Sequence, residues 1–154
     1  MKACRHRLPG YRATFVGVGA LYALLAASIL AQGPSRAMAR YQVPSAILAS
    51  PHYADAITWV YVHMLVLGLV LAVFGHLSEP GRLRVWMARL LLGAHVAYTT
   101  LDFRASALPF GTGLYKGPGA LAPAVIGLVV TALLAHLCLC PQSLGERATT
   151  VGPQ

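Results

Sequence analysis

AITWVYVHMLVLGLVLAVFGHL, residues 56–77, is a run of apolar side chains broken by nothing more polar than a threonine and two histidines. A bilayer's hydrocarbon core of about 30 Å is crossed by about 20 helical residues at ~1.5 Å rise each. A helix apolar on every side belongs in a core or in lipid, and a chain of 154 residues has no core large enough to swallow several. Three more stretches read the same way: 13–32, 85–103 and 120–139. The expected fold is therefore all-α, a polytopic membrane protein forming a single four-helix transmembrane bundle over residues 1–154.

Composition agrees with that reading. The chain is 57% hydrophobic and 10% charged, against about 25% charged residues in soluble domains. Its formal charge of +8 does not point to nucleic acid, because the basic residues flank apolar spans instead of gathering on one wetted surface. Lys2, Arg5, Arg7 and Arg12 precede the first span, Arg82, Arg84 and Arg89 lie at the link between the second and third, and Arg147 follows the fourth. Arg36, Arg40, Arg104 and Lys116 fall on the other side. Short cytoplasmic loops retain Lys and Arg, so this two-to-one bias predicts both termini inside, in a bacterial cytoplasmic membrane. The first span is longer than a signal-peptide core, and the Ala37-Met38-Ala39 triplet lies well past its end, so it is expected to be retained.

Several chemistries are disfavoured by what the spans and loops carry. Cys4, Cys138 and Cys140 all lie at the expected inner end, so the paired outer-loop cysteines of a quinone-linked disulfide exchanger are missing. Small apolar filler is the expected role for Cys138 and Cys140, which project about 200° apart on a helix. The glycine-rich run 111–117 lacks the Gly-Lys-Ser/Thr ending of a phosphate loop. Small residues instead recur at intervals of four, as Gly19, Ala23 and Ala27 in the first span and Gly127, Thr131 and Ala135 in the fourth, a spacing that lets helices approach closely. Prolines at 34, 44 and 51 exclude a further spanning helix between the first two spans. Tyr41, Tyr53, Trp59 and Tyr61 are expected at the outer headgroup level, where amphipathic rings settle.

Ionisable groups at membrane depth are costly, so each demands an explanation. His63 and His95 both fall near mid-membrane on neighbouring spans, and the Ser78-Glu79-Pro80-Gly81 turn predicts that those spans form a tight antiparallel hairpin. His95, Thr99 and Asp102 share one helix face at spacings of four and three. The candidate intramembrane polar site is therefore His63, His95, Thr99 and Asp102. A second candidate cluster, on the outer side, is Asp55, Trp59 and Arg104. No catalytic residue and no metal ligand set is assigned. The simplest role for the histidines is hydrogen bonding that sets helix register; haem or metal held by His63 and His95, or a quinone or proton path through His63, His95 and Asp102, is the alternative.

The segment DAITWVYVHMLVLGLVLAVFGHLSEPGRLRVWMARLLLGAHVAYTTLDFRAS resembles the BphX-like group of small bacterial integral membrane proteins: an acid and a Trp entering a long span, a short basic turn, then a span ending in an Asp. The resemblance implies a four-helix inner-membrane architecture and carries no activity or site residues with it. The expected function is that of a non-enzymatic accessory or structural membrane component without a cofactor, whose partners are the lipid bilayer and another membrane protein or a second copy. A redox or proton-handling protein and a small-solute transporter are the alternatives.

Overall fold

A computed structural model describes residues 8–106, 108, 111–113, 116 and 119–140, and the basic positions Lys2, Arg5, Arg7 and Arg147 lie outside them, as does Cys4. Six helices follow in order: α1 (Tyr11–Gln32), α2 (Pro34–Ala39), α3 (Ser45–Leu48), α4 (Pro51–Leu77), α5 (Arg82–Ala105) and α6 (Ala122–Leu139). No strand occurs among the described residues. Proline opens α2, α4 and α6 within the first helical turn, where a missing N–H costs nothing. Gly33, at φ 85°, makes the turn between α1 and α2 that an L side chain would strain.

Among the described residues three helices, α1, α4 and α6, are long and apolar enough to cross a membrane. The expectation of four spans is thus corrected to three helices that qualify by length and apolarity. α5 is long enough at 24 residues, but Arg82, Arg84, Arg89, Asp102, Arg104 and His95 all lie on it and dilute its apolar run.

The expected hairpin is also corrected. α4 and α5 are joined by a four-residue turn, yet α4 lies along α1 and α5 along α6. The reason is the glycine content of the α1–α4 face. A Cβ built on Gly19 would stand 2.5 Å from Ala72 N and 2.6 Å from Gly68 O, and one on Gly68 would stand 2.6 Å from Ala23 N. Only hydrogen fits there, so the two backbones touch, the close approach that small residues permit between membrane helices. Ala27, the last member of the small-residue stripe, is exposed instead.

One apolar core is shared by the four long helices: Phe15 and Val18 from α1, Leu71 from α4, Leu91 from α5, Val130 and Leu134 from α6. A second, smaller cluster caps the expected outer end, where Ile29, Ala37 and Met38 are covered by Tyr41, Tyr53 and Tyr61. Trp59 does not join those tyrosines; it is 65% exposed. At the opposite end Arg84 lies 4.6 Å over the Tyr11 ring and donates to Ser78 O, while Arg12 donates to His76 Nδ1 at 2.6 Å. Arg89 is exposed, with its guanidinium 5.7 Å from the Trp86 ring centre. Cys138 is free, whereas Cys140 is disulfide-bonded and so is more than apolar filler.

Candidate functional site

The polar groups of the interior sit where α1, α5 and α6 meet. His95 is 1% exposed. Its Nδ1 lies 2.9 Å from the Leu91 carbonyl, an oxygen that can only accept, so the ring proton is on Nδ1. Nε2 is then an acceptor, and the Tyr22 hydroxyl of α1 donates to it. The two rings are nearly parallel, 17° apart with centroids at 5.6 Å, and Tyr98 closes on His95 edge-on at 6.0 Å. Both nitrogens of a neutral imidazole are therefore used. One turn along α5, Thr99 meets Thr131 of α6, Oγ1 to Oγ1, at 3.1 Å.

Gly127 makes room for that meeting. A Cβ at this position would stand 2.7 Å from Thr99 Oγ1 and 3.6 Å from Asp102 Oδ2. Asp102 is half-buried beside the same glycine, and no hydrogen bond or ion pair between described residues involves its carboxylate. The face expected from spacing alone, His95, Thr99 and Asp102, thus does point into the bundle.

His63 does not belong to this site. It is exposed on α4 and donates from Nδ1 to the Trp59 carbonyl of its own helix at 2.7 Å, with the Trp59 ring 5.5 Å away. The two histidines are near one depth but have separate partners, because α1 and not α5 lies against α4. The outer cluster is likewise not assembled: Asp55 and Trp59 line a shallow hollow with Thr58 and Val62, and Arg104 is exposed without an ion pair among the described residues. No group of three or more His, Cys, Asp or Glu that could hold a metal occurs among the described residues.

Sequence reasoning missed Tyr22 and gave Thr131 only a packing role. The signal was present, since a tyrosine hydroxyl placed about 16 Å into a span, at ~1.5 Å per residue from Tyr11, must find an acceptor in the bundle. No family model, no curated protein and no solved structure matches the chain.

Proposed function

We propose that this chain is a four-helix component of a bacterial cytoplasmic membrane, with α5 as a fourth and more polar crossing, both ends inside, and an accessory or structural role. The observation that carries this reading is that the interior polar groups pair across helices, His95 with Tyr22 and Thr99 with Thr131. An imidazole that ligates haem or a metal needs a free nitrogen, and both nitrogens of His95 are taken by Tyr22 and Leu91. Interhelical hydrogen bonds of this kind are worth on average ~0.6 kcal/mol in a membrane, enough to choose between registers without a cofactor. The resemblance to the BphX-like group supports the same architecture.

Orientation is tested by reporter fusions at Gln154. The charge bias favours a cytoplasmic end, while the disulfide at Cys140 favours the oxidising side, where such bonds persist. Activity only of a periplasmic reporter would overturn the inside assignment. Absorption spectroscopy and metal analysis of the purified protein test the role: a Soret band or stoichiometric metal, lost in His95→Ala, would overturn the structural reading.

A second reading, proton handling, is favoured by Asp102. A carboxylate without a partner among the described residues, at one end of the Tyr22, His95 and Thr99 line, has the position of a proton port, because intramembrane acids mark ion pathways. Vesicles loaded with a pH dye test it, and equal proton leak in wild type and Asp102→Asn would remove it.

A further inference from the structure

His63 is the intramembrane group that this site leaves over. At ~1.5 Å per residue it stands about 12 Å from Asp55 and about 21 Å from Leu77, at hydrocarbon depth. Since Nδ1 carries the proton given to Trp59 O, Nε2 is a bare acceptor, and no described residue bonds it. Lipid offers it no donor. One turn away on α4 is the reciprocal group, the indole N–H of Trp59, also without a partner among the described residues.

These two polar groups border an ordered seam. Asp55, Trp59, Val62, Val66, Leu69 and Val73 recur at alternating spacings of four and three, and every one is exposed. Val66 lies about 200° round the helix from Gly68, so the seam is on the side of α4 turned away from α1. Valines at 66 and 73 with Leu69 between them reproduce the β-branched and leucine alternation that favours two parallel strands. Membrane helices pack mostly with that same left-handed geometry.

We propose that α4 packs in parallel against α4 of a second copy of this chain, about a two-fold axis along the membrane normal, with each Trp59 donating its indole N–H to His63 Nε2 of the other copy. A two-fold interface must be complementary to itself, and this face is. It carries one donor and one acceptor a turn apart. At its aqueous end it carries one base and one acid, exposed His52 and Asp55, which pair across the axis when the imidazole is protonated. In lipid the apolar seam supplies shape but little hydrophobic drive, so the polar pairs set the register.

The proposal rests on the membrane reading above, and the test separates the two. Full-length protein with Cys4, Cys138 and Cys140 replaced by serine is reconstituted in phosphatidylcholine–phosphatidylglycerol vesicles. Single cysteines are placed on the seam (Val62→Cys, Val66→Cys, Leu69→Cys, Val73→Cys) and at outward positions of the other long helices (Leu24→Cys, Leu90→Cys, Leu128→Cys). Oxidative cross-linking is expected at Val66 and Val73 most of all, and not at Leu24, Leu90 or Leu128. Energy transfer between labelled copies is expected to survive dilution with lipid, and Trp59→Phe with His63→Leu to weaken association about sevenfold, the value for two average interhelical hydrogen bonds. Cross-linking indifferent to position, or energy transfer that falls to chance proximity on dilution, overturns the dimer while leaving the membrane reading intact. Protein recovered monodisperse in buffer without detergent overturns the membrane reading itself.

Discussion

The two faces of α1 hold their neighbours by opposite means. Toward α4 the helix presents Gly19 and Ala23, and there the interface is backbone against backbone, with the Arg12–His76 bond only at its far end. Toward α5 it presents Tyr22, one residue from Ala23 and about 100° round the helix, and the interface is a hydrogen bond to a buried imidazole. The first face tolerates no added volume, and the second no lost polar atom. Close approach without side chains gives dispersion and a definite separation but weak register along the axis; a directional bond gives register and little area. α1 uses both, so its position is fixed in distance by one neighbour and in height by the other.

The comparison breaks first at the glycines. Gly68→Leu would drive side-chain atoms into Ala23 N and Gly19 O, both already under 3 Å from an imagined Cβ. We expect a loss of about 3 kcal/mol, the upper part of the overpacking range, read as the shift of the unfolding midpoint in a graded sodium dodecyl sulfate titration. Gly17→Ala, on α1, is the control. Nothing lies within 4 Å of its Cβ position, so the added methyl should be neutral or stabilising by about 0.5 kcal/mol.

The polar face should respond less. Tyr22→Phe removes one hydroxyl and leaves His95 Nε2 bare, and His95→Leu removes the partner. Taken with the double variant, the two should show a coupling of about 1 kcal/mol, within the range of interhelical bonds measured in membranes. Nitrogen-15 spectra of labelled His95 should place the proton on Nδ1 in both wild type and Tyr22→Phe, because Leu91 O accepts it in each. A coupling near zero would leave the Tyr22–His95 bond without a role in holding α1 to α5.

Much of this could be read from spacing, and the remainder could not for a physical reason. Periodicity tells which residues share a face, so His95, Thr99 and Asp102 were legible as a stripe, and Gly19 with Ala23 as a surface of close approach. Periodicity does not tell which helix covers a face. The short turn at 78–81 suggested that α4 covers α5, and from that followed the pairing of His63 with His95. Gly68 and Gly75 instead draw α4 onto α1, where a Cβ at Gly75 would meet Phe15 Cβ at 2.6 Å. Tyr22 was passed over because it is not ionised at neutral pH, although burying a hydroxyl demands a partner as surely as burying a charge. α5 falls short of the other three for a related cause: it is long enough to span, but its arginines and Asp102 dilute its apolar run.

The smallest effect sharpens the comparison most. Thr99→Val keeps the shape of the side chain and removes the hydroxyl that meets Thr131, and an isolated bond between hydroxyls should cost about 0.6 kcal/mol. If Thr99 serves register alone, Thr131→Val should cost the same, and the double variant no more than either, since two methyls then face each other beside Gly127. If Thr99 also holds the Asp102 end of the line in place, Thr99→Val should cost more than Thr131→Val, and Asp102→Asn should erase the difference. Unfolding midpoints of these variants, with Thr99→Val and Thr131→Val measured also in the Asp102→Asn background, therefore separate a pair of hydroxyls that only sets helix height from one that also orients an acid.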